Sequence, residues 1–183
     1  MTFRGFIALD IKPNDEIRKF MEALEKTGAP LKMVNPNDIH MTIKFLGDTE
    51  EDKVREISEV VRRVLEDKEP FTIDLKGVGA FPHLGYMKVV WIGTEEEPKL
   101  QKIAHRVEEE LVPVGFHRDD KGFSPHVTVA RVKGGKNKER LKATIKNYED
   151  FFFKTQKVTK LKLMKSTLTK KGPIYEALEE YYL

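Results

Sequence analysis

"HMTIKFLG", His40–Gly47, and "HVTVARV", His126–Val132, spell one pattern twice. Each begins with a histidine, an apolar residue, a threonine and a second apolar residue. In a strand, successive side chains point to opposite faces. His40 and Thr42 then share one face, and Met41 and Ile43 the other. His126 and Thr128 share a face in the same way, opposite Val127 and Val129. Each segment reads as a strand with its apolar pair in a core and its polar pair on an open surface. A lone His-x-Thr would be read as a strand histidine hydrogen-bonded in a packed interface. Two matched copies need a common cause.

Working outward, that cause is a repeat. Before the first motif, Phe3 to Asp10 predicts a strand. "PNDEIRKFMEALEKTG" predicts a helix capped by Asn14, with Ile17, Phe20, Met21 and Leu24 inward and Gly28 as its stop. After it, "EEDKVREISEVVRRVLEDK" is an amphipathic helix with Val54, Ile57, Val61, Val64 and Leu65 on one face. "FTIDLKGVGAF" is a strand running into a Gly-rich turn. "MKVVWIGT", "EPKLQKIAHRVEEEL", the second motif, "KERLKATIKNYE" and "KVTKLKLMKSTLT" then repeat the order strand, helix, histidine strand, helix, strand. The two copies span about residues 1–80 and 89–169. The predicted fold class is α+β. It has two pseudo-symmetric lobes, each an antiparallel or mixed sheet with outer helices, around a central cleft. No low-complexity linker divides them, so residues 1–183 are expected to form a single bilobal domain.

The 39% apolar content supplies a core, and the 34% charged content, rich in Lys and Glu, resembles that of heat-adapted proteins. The chain has no cysteine, which removes disulfides, thiolate metal sites and cysteine nucleophiles. No apolar run reaches membrane-spanning length, and "MTFRGFIALDIKP" reads as a first strand rather than a signal peptide. The expected location is the cytoplasm, without membrane contact, and the expected state a monomer. Net charge is only +3, but the stretch from Arg131 to Lys171 is strongly basic, with Lys133, Lys136, Lys138, Arg140 and Lys142 among its cations. That imbalance suits an anionic partner such as RNA, or simply a solvated lysine-rich face.

Two imidazoles facing one cleft can act as acid and base in a single displacement near neutral pH. Two threonine hydroxyls can donate to the non-bridging oxygens of a phosphate. In-line displacement at phosphorus needs the attacking and leaving groups on opposite sides, which a flanking histidine pair provides. A ribose 2′,3′-cyclic phosphate suits this site. Lys44 shares the strand parity of His40 and Thr42 and is a candidate phosphate-binding cation. Phe45 has core parity and could stack on a base only if the strand twists it out. Strict alternation puts Arg131 on the core side. It reaches the cleft only if the strand ends or bulges after Val129.

His83 and His117 are read as turn histidines, His105 as a structural helix residue and Trp91 as core. The lysines of "KLKLMK" are read as facing solvent. "GVGAFPHLG" lacks the spacing of a dinucleotide fingerprint, and "KGGKNK" is a basic turn rather than a phosphate loop.

The chain resembles the two-histidine phosphoesterase superfamily, and within it the 2′-5′ RNA ligase-like proteins described as RNA 2′,3′-cyclic phosphodiesterases. "RGFIALDI", "DIHMTIKFLGD", "FSPHVTVARV" and "STLTKKGPIYEAL" carry the resemblance, in order and over nearly the whole chain. It implies two pseudo-symmetric lobes about a water-filled cleft, and hydrolysis of RNA 2′,3′-cyclic phosphate to a 2′-phosphate. It implies no metal, and no cofactor is expected. His40 would protonate the leaving 3′ oxygen and His126 would activate water. Thr42 and Thr128 would hold the phosphate, and Arg131 would add positive charge. The alternatives are 2′-5′ RNA end ligation in the same site and a non-catalytic RNA-end-binding protein.

Overall fold

A computed structural model describes all 183 residues. Helix α1 (Asp15–Glu25) starts at Asn14, whose side chain accepts the Ile17 N–H, and it buries Ile17, Phe20, Met21 and Leu24. Helix α2 (Val54–Leu65) buries Ile57, Val61, Val64 and Leu65, with Val60 beside them. Helix α3 (Pro98–Leu111) turns Leu100, Ile103, Ala104 and Val107 inward, and α4 (Lys138–Asn147) buries Leu141 and Ile145. Helix α2 packs on α3, and α1 on α4.

The strands are β1 (Thr2–Asp10), β2 (Leu31–Met33), β3 (His40–Glu50), β4 (Phe71–His83), β5 (Tyr86–Thr94), β6 (His126–Val132), β7 (Phe152–Val158), β8 (Lys160–Thr169) and β9 (Gly172–Tyr182). Every pairing is antiparallel. The order is β7-β4-β5-β6-β3-β1-β8-β9, with β2 added to β6. The α+β class and the pseudo-symmetric halves are therefore as expected. The sheets of the two halves are continuous, joined where Met41 of β3 pairs with Val127 of β6.

The halves also exchange strands. β4 follows the first histidine unit in the chain, yet it pairs with β5 of the second. β8 follows the second unit and pairs with β1 of the first. Each half is completed by a strand from the other, which ties the two motifs into one sheet. Ile7, Leu9, Met41, Ile43, Val90, Ile92, Val127 and Val129 point to the helices and join a core of 39 buried residues.

Four elements differ from the sequence reading. β4 continues to His83, so most of the Gly-rich stretch read as a turn is strand. "KVTKLKLMKSTLT" is not one strand. The chain breaks after Val158, and β7 and β8 pair in different halves. β2 is three residues long, too short to show a period. β9 is an edge strand, exposed along much of its length, so burial imposes little alternation on it.

Candidate active site

The Met41–Val127 pairing fixes the site. In an antiparallel ladder, the residues flanking such a pair face each other crosswise. His40 therefore lies beside Thr128, and Thr42 beside His126, all on the face away from the helices. The histidines occupy one diagonal of this square and the threonines the other. Such diagonal neighbours are about 7–8 Å apart, a span that brackets a phosphate. All four side chains are partly exposed, while Met41 and Val127 between them are fully buried. Neither threonine hydroxyl is engaged by another protein group, so both are free to donate outward.

Both motifs then break alternation at the same place. In β3 the register against β1 skips Ile43, and in β6 the register against β5 skips Val129. Each is a β-bulge, which re-aims every side chain that follows. Arg131 is thereby brought to the histidine face and is exposed. Phe45 occupies the equivalent position in β3. It is 65% exposed, its ring 6.5 Å from that of Phe6, rather than packed in the core.

The same bulge turns Lys44 away from the face of His40 and Thr42, where strand parity placed it, although it still borders the hollow beside His126. Lys44 pairs with Ile7 on the core side and is 6% exposed. Its ammonium donates to Glu108 Oε1 of α3 at 2.9 Å and to the His117 carbonyl at 2.7 Å. Glu108 Oε1 also accepts the Asp119 backbone N–H at 2.6 Å. Lys44 thus ties the segment leading into His126 to both β3 and α3. In the other half that place is taken by β2, which hydrogen-bonds along β6. Burial alone would raise the Glu108 pKa. The Asp119 N–H and the Lys44 ammonium outweigh it and hold the carboxyl below its ordinary value of 4.5. The pair's contribution is complete above that value and is lost as pH falls through the depressed one. Lys44→Met is expected to cost about 3 kcal/mol at pH 7 by stranding a half-buried carboxylate. The loss should shrink in thermal melts as pH falls below the ordinary carboxyl value of 4.5.

Each imidazole is oriented by the backbone two residues earlier. His40 Nδ1 donates to the Asp38 carbonyl at 2.8 Å, and His126 Nδ1 to the Ser124 carbonyl at 2.7 Å. A carbonyl can only accept, so Nδ1 carries the hydrogen in both rings and Nε2 is left for chemistry. The surroundings differ. His40 stacks on Phe6 with ring centres 5.0 Å apart and meets the edge of Tyr175 at 5.3 Å. His126 meets Phe81 edge-on at 4.9 Å. Burial pushes the His40 pKa below the ordinary 6.5. The Asp38 carbonyl and the charges of Asp10 and Asp38 oppose that fall, and His126 adds to it.

Trp91 and Lys162 also depart from the sequence reading. Trp91 pairs with Thr128 and shares its face, so it belongs to the cleft floor rather than the core. Its ring lies over Gly79, where a Cβ would fall 2.4 Å from Cζ2, so only glycine seats it. Lys162 is 17% exposed, its ammonium 2.5 Å from Asp10 and 3.5 Å from Glu180, and it lines a 470 Å³ hollow with His40 and Tyr175. A second hollow of 580 Å³ lies beside His126, lined by Thr42, Phe45, Phe81, Lys88 and Phe123. His83, His105 and His117 are all exposed and outside both hollows. No group of three or more His, Cys, Asp or Glu side chains is gathered to hold a metal, and no helix is long and apolar enough to cross a membrane.

A curled antiparallel sheet with a histidine–threonine square at its pseudo-twofold centre defines the class to which this site belongs. The chain belongs to the 2′-5′ RNA ligase superfamily, whose family model matches residues 13–169. It is 36% identical, over the full length of both chains, to the RNA 2′,3′-cyclic phosphodiesterase of Methanothermobacter thermautotrophicus. It is 40% identical to the protein of that name from Archaeoglobus fulgidus, over 97% of this chain and 99% of the relative. Among solved structures, a Thermus thermophilus protein superposes with a TM-score of 0.80 at 26% identity, covering 98% of this chain and 97% of its own.

Proposed function

We propose that this chain is an RNA 2′,3′-cyclic phosphodiesterase that leaves a 2′-phosphate by metal-independent paired-histidine catalysis. The observation that carries the proposal is the square. Two Nε2 atoms with matched backbone-fixed tautomers sit on opposite corners, with two free hydroxyls on the others. A phosphate over the Met41–Val127 bridge would have one histidine on each side, as in-line displacement requires. Water attacks phosphorus and gives its proton to His126 Nε2. The bond from phosphorus to the 3′ oxygen breaks, and His40 Nε2–H protonates that oxygen. Thr42, Thr128 and the re-aimed Arg131 hold the non-bridging oxygens as charge builds on them. Solvent then resets both rings. The family match favours a second reaction in the same place, with the 5′-hydroxyl of another RNA strand replacing water to give a 2′-5′ bond. We read residues 1–183 as one bilobal unit, working as a cytoplasmic monomer.

Turnover of an oligoribonucleotide ending in a 2′,3′-cyclic phosphate is expected to be unchanged in excess chelator. Loss of activity there would overturn the metal-independent mechanism. The pH profile gives a second test. His40 must hold a proton on Nε2 to act as acid, yet burial lowers its pKa in the free protein. A bound phosphate anion raises it again. In kcat/KM, which reports the free enzyme, the profile should be bell-shaped, with limbs that belong to the histidine pair rather than to either ring alone. In kcat both limbs should lie at higher pH, because the bound anion favours the protonated form of each ring. A profile flat from about pH 5 to 8 would count against paired-histidine catalysis.

A further inference from the structure

The last pairing between β8 and β1 is Ser166 with Arg4, yet β8 and β9 continue together to Thr169 and Gly172. Residues 167–174 are therefore a free two-stranded arm. The arm does not extend outward along the sheet. β9 is three ladder spacings from β3, about 14 Å in a flat sheet, but the Tyr175 ring at the arm's base is 5.3 Å from that of His40. The tip reaches further. Gly172 is buried, and the Lys32 Nζ lies 3.3 Å from where its Cβ would be. Lys32 belongs to β2, opposite Arg131 of β6. The arm thus arches over the His40 side of the site toward the other half.

Its turn is fixed. The Thr169 hydroxyl donates to the Gly172 carbonyl at 2.7 Å and accepts the Lys171 N–H at 3.2 Å. Lys170 and Lys171 project from this turn, both exposed, with Leu168 at 68% and Ile174 at 61% exposure flanking them. No ion pair in the molecule uses Lys32, Arg131, Lys170 or Lys171. By contrast, the nearby Lys160 and Lys162 are both neutralised by carboxylates. Four unpaired cations beside a path into the cleft suit a single-stranded polyanion, and the exposed Leu168 and Ile174 offer apolar surface against which its bases can pack.

We infer that this arm grips the RNA strand leading to the cyclic end, so that the site takes oligoribonucleotides in preference to mononucleotides. The inference rests on the hydrolytic reading, but it can fail separately. Lys170→Ala/Lys171→Ala and Leu168→Ser lie outside the sheet core, and the folded state is checked by their melting temperatures. Turnover of each variant is compared on a cyclic-phosphate-ended ten-nucleotide RNA and on a 2′,3′-cyclic mononucleotide, about ten residues being enough to span the arm. The expected result is a roughly tenfold rise in oligonucleotide KM for the double-lysine variant. Its log–log salt slope should fall by about 1.4, with mononucleotide turnover changed less than about twofold. An unchanged oligonucleotide KM and salt slope would overturn the arm's role. If the native protein turns over neither substrate, the hydrolytic reading falls. The arm is then judged by fluorescence anisotropy with a 3′-phosphorylated RNA, on which equal affinity of native and double-lysine proteins would refute it.

Discussion

His40→Ala and His126→Ala are each expected to lower kcat on a cyclic-phosphate-ended RNA by about 10²–10⁴, the range of a positioned acid or base. Neither change should disturb the fold. Both rings are partly exposed on the open face, and their only hydrogen bonds here are to carbonyls two residues away. The double variant should be far less than multiplicatively worse, because an acid without its base has little left to contribute. The check is single-turnover kinetics on native and variant proteins, with melting temperatures as the folding control. Unchanged turnover in both single variants would remove the site.

Thr42→Val and Thr128→Val should each lower kcat by about 10²–10³, the loss seen when one donor to a developing oxyanion is removed. Valine keeps the branched shape and strand preference of threonine, so the change isolates the hydroxyl. The two losses should be similar, since the residues stand at equivalent corners of the square. A rise in KM with kcat intact would mean that the hydroxyls bind the ground state alone. Steady-state kinetics on the same RNA separate the two cases.

Much of this site is legible in the sequence because strand parity needs only alternation. Parity assigns His40, Thr42, His126 and Thr128 to a common face, and the ladder puts them there. It fails two residues later, at the bulges. A bulge is an event of pairing between strands, set by how β3 meets β1 and β6 meets β5, and one strand read alone does not show it. That is why parity places Lys44 on the histidine face while it is a buried tether, and Phe45 in the core while it is exposed. The break in alternation that Arg131 needs does occur, at Val129 itself rather than after it. Strand exchange is hidden for the same reason, since β4 and β8 follow one unit in the chain and pair with the other. Tyr175 is visible only as the end of "GPIY", because no local pattern brings an edge strand back over a histidine. The unequal endings of the two motifs also gain a meaning. The "KF" of the first supplies a tether and an exposed ring, and the "AR" of the second supplies a small core residue and a cation.

The most direct test of paired-histidine hydrolysis is the position of the phosphate in the product. A cyclic-phosphate-ended RNA is digested to completion in excess chelator, and its terminus is identified by phosphorus NMR or by enzymes selective for 2′- or 3′-phosphates. The geometry predicts a 2′-phosphate alone, from protonation of the 3′ oxygen by His40. A 3′-phosphate, or no turnover without metal, would contradict it.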